Sequence, residues 1–96
     1  MAKSESAVDF RMMSEALAMD EELDGVDLRV FLFLFSRLDF ETYTRVEQRE
    51  VAESLKRHKV HVSRSIRKLK AKKMIIEATP RIGRSPSYVL NAKYGK

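Results

Sequence analysis

Apolar residues at 62, 66 and 69 recur at i, i+4 and i+7, the spacing of one stripe on a helix of 3.6 residues per turn, and predict a helix over Lys59–Ala71. Just before it Val51, Ala52 and Leu55 fall at helical spacing within 47–55. A longer helix is expected upstream, capped by Asp24 or Asp27 and running to about Asp39. Val30, Phe31, Leu34 and Leu38 share one of its faces, but Leu28, Leu32 and Phe35 lie toward the other. A helix apolar nearly all round must be buried nearly all round. Two covers are open for that second side: the N-terminal segment, or another copy of the chain docking on Leu28, Leu32 and Phe35. Over 8–19 the pattern is divided, because Val8, Phe10 and Met12 alternate as in a strand whereas 14–19 reads as helix. Residues 1–7 are expected to form a flexible terminus, and 8–96 one domain.

After a turn-like stretch at 40–43, Arg45 and Val46 close a short extended piece. Residues 74–79 and 87–91 alternate loosely around a turn at 80–86 that contains Gly83, which predicts a hairpin with Arg81 and Arg84 at its tip. The fold class expected is therefore mainly α with a small β-hairpin.

Charge sharpens this picture. Residues 1–27 carry two basic and eight acidic side chains, a net of −6, whereas the remainder carries 17 basic and six acidic, a net of +11. Between 56 and 73 stand nine basic residues and no acid. Solvated helices usually mix both signs, so such a run is a field suited to a polyanion. With Val62, Ile66 and Leu69 turned inward, the opposite side of the helix shows Val60, Arg64, Arg67 and Lys68, flanked by Lys59 and Ser63.

An α-helix fits the major groove of double-stranded DNA, where Arg makes paired hydrogen bonds to guanine and an aliphatic side chain can touch a thymine methyl. Lys59, Val60, His61, Ser63, Arg64 and Arg67 are the candidates for base edges. Gln48, Lys56, Arg57, Lys68, Lys72, Arg81, Arg84 and Ser85 are the candidates for the phosphate backbone. Tyr88 and Tyr94 could stack on unpaired bases, although tyrosines in a hairpin more often pack.

The residues also resemble a family. QREVAESL at 48–55, a turn, VSRSIRKL at 62–69 and KMII at 73–76 look like the winged helix-turn-helix pattern of many bacterial regulators, with Ala52 as the small residue between the helices and Val62 as the branched residue packing back. Two positions depart from it: Lys56 stands where the turn commonly has Gly, and His58 where the cap is commonly Ser or Thr. The closing SYVLNAKYG at 87–95 is similar to the end of small plasmid replication-initiation proteins of the RepL type, with Ala92 in place of a proline and without their tryptophan. The resemblance implies a sequence-specific double-stranded DNA-binding protein of plasmid or phage type, a homodimer reading a palindromic operator through helix 59–71 and wing 79–87. Two alternatives stand beside it, a plasmid replication initiator or origin-binding factor, and a protein-interaction module whose basic face is incidental.

Other chemistries find little footing. A chain of 96 residues buries only about 60–65% of its unfolded surface, which leaves little room for an elaborate cleft. There is no Gly-rich phosphate loop, activated nucleophile or spaced carboxylate pair, so neither an enzyme nor a cofactor is expected. With no cysteine, thiolate metal sites and disulfides are excluded, and a cytoplasmic setting is expected. His58 and His61 have a metal-ligand spacing but sit among cations without a carboxylate within four residues, so no metal is expected. The longest apolar run, 30–35, is far below the roughly 20 residues of a membrane span.

Overall fold

Four helices and a small sheet follow one another along the chain: α1 (Ala2–Met19), α2 (Gly25–Arg37), β1 (Thr44–Arg45), α3 (Gln48–Leu55), α4 (Lys59–Ala71), β2 (Ile75–Glu77) and β3 (Ser87–Leu90), closed by a 3-10 turn at Ala92–Tyr94. The structure, a computed structural model, describes residues 2–79 and 85–94, with side chains over 11–79 and 85–93. Within these bounds the protein is mainly helical with a three-stranded antiparallel sheet, which is the coarse fold class the pattern predicts. The expected hairpin acquires a third strand. β3 lies in the centre, pairing Thr44 with Tyr88 on one side and Ile76 with Val89 on the other.

The divided pattern at 8–19 resolves as helix, which begins at Ala2, inside the segment 1–7 set apart as a terminus. Met13 and Leu17, one turn apart, are buried in the common core, whereas Met12 is exposed. α2 starts with a reciprocal capping box. Asp24 Oδ1 accepts from the Asp27 amide and Asp27 Oδ2 accepts from the Asp24 amide, each at 2.9 Å, so the two candidate caps act together.

Val30, Phe31 and Leu34 of α2 meet Val51 of α3 and Val62, Ile66 and Leu69 of α4 in one core that Tyr88 and Leu90 of β3 close from the sheet side. Each such fully buried side chain contributes about 1.5–3 kcal/mol of transfer free energy. The second side of α2 is covered only in part from within the chain. Leu28 and Phe35 are half-buried against the core, with the Phe35 ring between Phe31 and an edge-on Phe40. Of the trio Leu28, Leu32 and Phe35 expected to face a cover, Leu32 is exposed and the other two are half-buried. Among the described residues no helix is long and apolar enough to cross a membrane.

Candidate nucleic-acid interface

α3 and α4 are joined by a turn that uses residues of unusual type. α3 ends where Arg57 donates its amide to the Ala52 carbonyl at 2.9 Å and Lys56 donates to Glu53 at 3.3 Å. This crossed pair requires a left-handed residue, and Lys56 supplies it at φ 56° and ψ 47°. Lys56 thus adopts the conformation that a glycine usually takes. His58 then caps α4, its Nδ1 accepting the Val60 amide at 3.3 Å. Both departures from the usual pattern are therefore accommodated: the lysine takes on the strain and the imidazole replaces a hydroxyl.

The stripe at 62, 66 and 69 faces inward, at 2% exposure or less. Lys59, Val60, His61, Arg64 and Arg67 are exposed and Ser63 is half-exposed, so these six predicted base-reading residues share the outward side of one helix. Val60 is 57% exposed, a large value for an aliphatic side chain with neighbours all around it in sequence. With Ser63, Arg64 and Arg67 it lines a shallow recess of about 300 Å³. Among the described residues, neither Arg64 nor Arg67 enters an ion pair or hydrogen bond. Two free guanidiniums on one side of a helix can each give paired hydrogen bonds to a planar acceptor or a phosphate.

The C-terminal half of α4 is different. Lys68, expected on the outward face, is turned toward α2: its ammonium lies 2.7 Å from Asp27 and donates to the Glu22 carbonyl at 3.0 Å. Lys72 is held between Asp20 at 3.0 Å and Glu22 at 2.5 Å. Lys70 pairs with Glu77 at 2.7 Å. All three ammonium groups are engaged by carboxylates within the molecule. The hydrogen bonds that Lys72 donates to Glu22 and Asp20 raise its pKa, and the one received from Lys72 lowers the pKa of Asp20.

Of the remaining candidates, Lys56 and Arg57 are exposed in the turn, and Gln48 is half-exposed in the first turn of α3. Ser85 is half-buried and donates to Glu47 at 3.3 Å. Arg81 and Arg84 lie outside the described residues. Tyr88 is 1% exposed and packs in the core, which removes it as a stacking platform for bases. The His58 and His61 rings are 6.1 Å apart, and one nitrogen of His58 is already the helix cap. Among the described residues no group of three or more His, Asp or Glu is placed to hold a metal.

One group escaped the sequence reading. Asp27, at 2% exposure, accepts from Ser65 Oγ at 2.5 Å as well as from Lys68 and the Asp24 amide. Burial works to raise its pKa, but the hydrogen bonds from Lys68, Ser65 and the Asp24 amide outweigh it and hold the carboxyl below the usual range. The signal was present: Ser65 is a polar residue beside Val62, Ile66 and Leu69, and a buried hydroxyl demands a partner. No family model matches the chain, and no curated protein matches it.

Proposed function

We propose that the chain is a winged helix-turn-helix protein that binds double-stranded DNA sequence-specifically, with α4 in the major groove and the segment 79–87 as the wing. The observation that carries this reading is the division of α4 into an inward stripe of Val62, Ile66 and Leu69 and an outward side whose Arg64 and Arg67 side chains have no partner among the described residues. A solvated basic helix would be expected to neutralise its arginines locally, as this one does its lysines at 68, 70 and 72. Guanidiniums suit guanine O6 and N7, and the exposed Val60 suits a thymine methyl. Lys56 and Arg57, at the amino end of the helix, are positioned for phosphate. The chain serves as a plasmid- or phage-type regulator, two copies reading the halves of a palindromic operator.

Selection of bound duplexes from a random pool, followed by titration at several salt concentrations, tests the reading. A palindromic consensus is expected, with log affinity of the dimer falling against log salt at a slope of about −9, since roughly five cations per copy face outward near the amino end of α4. Affinity independent of salt, or a pool that stays random, would overturn it.

A further inference from the structure

The contact between α2 and α4 is apolar except at one point. Val30, Phe31 and Leu34 meet Val62, Ile66 and Leu69 through aliphatic and aromatic surfaces, which are non-directional and leave rotation of a helix about its own axis weakly determined. Into this seam are set Asp27 and Ser65, the only buried polar or charged residues among those described, each at 2% exposure. Ser65 Oγ donates to one carboxylate oxygen of Asp27 at 2.5 Å. The other oxygen takes Lys68 Nζ at 2.7 Å and the Asp24 amide at 2.9 Å. No buried side-chain polar atom among the described residues is left without a partner.

We propose that Asp27 and Ser65 are positioning residues for DNA specificity: their buried hydrogen bond fixes the rotation of α4 against α2 and so sets which atoms of Arg64 and His61 reach the groove. The proposal rests on the reading of α4 as the helix that enters DNA. Neither residue can touch DNA itself. They act from directly beneath the surface that would, because Asp27 and Ser65 line a recess of about 130 Å³ together with His61, Arg64 and Arg57. Ser65 adjoins Arg64 in sequence and lies one helical turn from His61.

The lever is short. At a helix radius of about 6 Å including side chains, a rotation of about 20° displaces an outward group by about 2 Å. A hydrogen bond tolerates only a few tenths of an ångström around its optimum, so a paired contact from Arg64 to a base would be lost while looser phosphate contacts survive. Asp27 is suited to such a task because its carboxylate is itself immobilised. One oxygen is tied into the cap of α2, so the group cannot follow α4 if that helix turns. Lys68, one turn beyond Ser65, adds a second anchor on the same carboxylate. A buried polar contact that specifies register is a known use of such groups.

The test compares Ser65→Ala and Lys68→Met, which each remove one anchor, with Ser65→Thr, which keeps the hydroxyl, and with Ile75→Val, a core truncation in β2 away from the seam. Two quantities are read: the ratio of affinities for the selected operator and for random duplex at one salt concentration, and residual dipolar couplings of the α4 amides in the DNA-free protein. Ser65→Ala and Lys68→Met are expected to lower the ratio about tenfold, within the range of one lost bidentate contact, and to shift the couplings. Ser65→Thr restores both, and Ile75→Val lowers stability without moving either. A Ser65→Ala protein that melts earlier yet keeps its ratio and its couplings overturns the proposal, since the pair would then be structural only. Should the wild-type protein fail to distinguish operator from random DNA, the parent reading falls, and the couplings alone decide whether the pair sets the helix: altered couplings uphold that, unaltered ones refute it.

Discussion

Arg57 donates its amide to the carbonyl of Ala52, five residues back, across a left-handed Lys56 that ends α3. The left-handed conformation costs a side-chain-bearing residue about 1–2 kcal/mol, and glycine avoids it at an entropic cost of about 0.5–1 kcal/mol. Lys56→Gly is therefore expected to stabilise the fold by about 0.5–1 kcal/mol, whereas Lys56→Ala stays within about 0.5 kcal/mol of the parent. Urea unfolding at neutral pH separates the two.

Arginines 64 and 67 project from α4 without partners among the described residues, so truncating them alters what the protein meets outside more than what it holds within. Arg64→Ala or Arg67→Ala is expected to weaken operator binding by about 1–3 kcal/mol while changing random-duplex binding far less, and to relax preference at one base pair. Competition titrations with single-base operator variants measure this. Equal losses on both kinds of DNA would assign these residues to the backbone instead.

The clamp on Lys72 makes an opposite forecast. Replacing Asp20 by Asn and Glu22 by Gln releases an ammonium that both carboxylates now hold. Affinity for random duplex should rise at low salt, and the salt slope should steepen by about one phosphate contact. Lys72→Ala in the parent, by contrast, leaves both nearly unchanged. Fluorescence anisotropy over a salt series reads each outcome.

Asp27 sets an acid limit on stability. Its native pKa lies below the unfolded value, so the stability it contributes is fully present above the usual aspartate range and is lost as pH falls through the depressed native value. Between about pH 5 and that native value the unfolded chain takes up a proton that the folded one refuses. Asp27→Asn is expected to destabilise at pH 7 by about 3 kcal/mol, the low end for a broken buried pair because Lys68 keeps some solvent. It should also flatten the decline toward acid. Some slope persists, because hydrogen bonds from the Thr42 and Glu41 amides lower the pKa of Asp39, and Asp20 is lowered through Lys72. Chemical unfolding at successive pH values checks both parts.

Much of this architecture was legible because local periodicity and tertiary packing agree. The trio at 62, 66 and 69 announced both the existence of α4 and its inward side, and burial follows it. Asp24 and Asp27 each looked like a cap, and reciprocal bonding makes them one. What escaped were relationships between distant segments. Lys68 sits one turn from an outward arginine and by wheel geometry alone belongs with it, but a carboxylate 41 residues away draws its flexible stem aside. The half-burial of Leu28 and Phe35 depends likewise on how the chain folds back, through Phe40 in the second case. The strand pairing of Thr44 with Tyr88 joins pieces too short to signal a sheet by themselves.

The contacts of Lys68 and Lys72 with the stretch 20–27 also shape the molecule as an electrical object. Lys68, Lys70 and Lys72 are compensated toward the far end of α4, while among the described residues Lys59, Arg64 and Arg67 at its beginning are not, so the surface potential has a direction as well as a sign. In the field of a polyanion such a body experiences torque before contact, turning its uncompensated end forward. If DNA is the partner proposed above, collisions are pre-sorted by orientation, and the encounter rate, more than the final affinity, inherits the benefit.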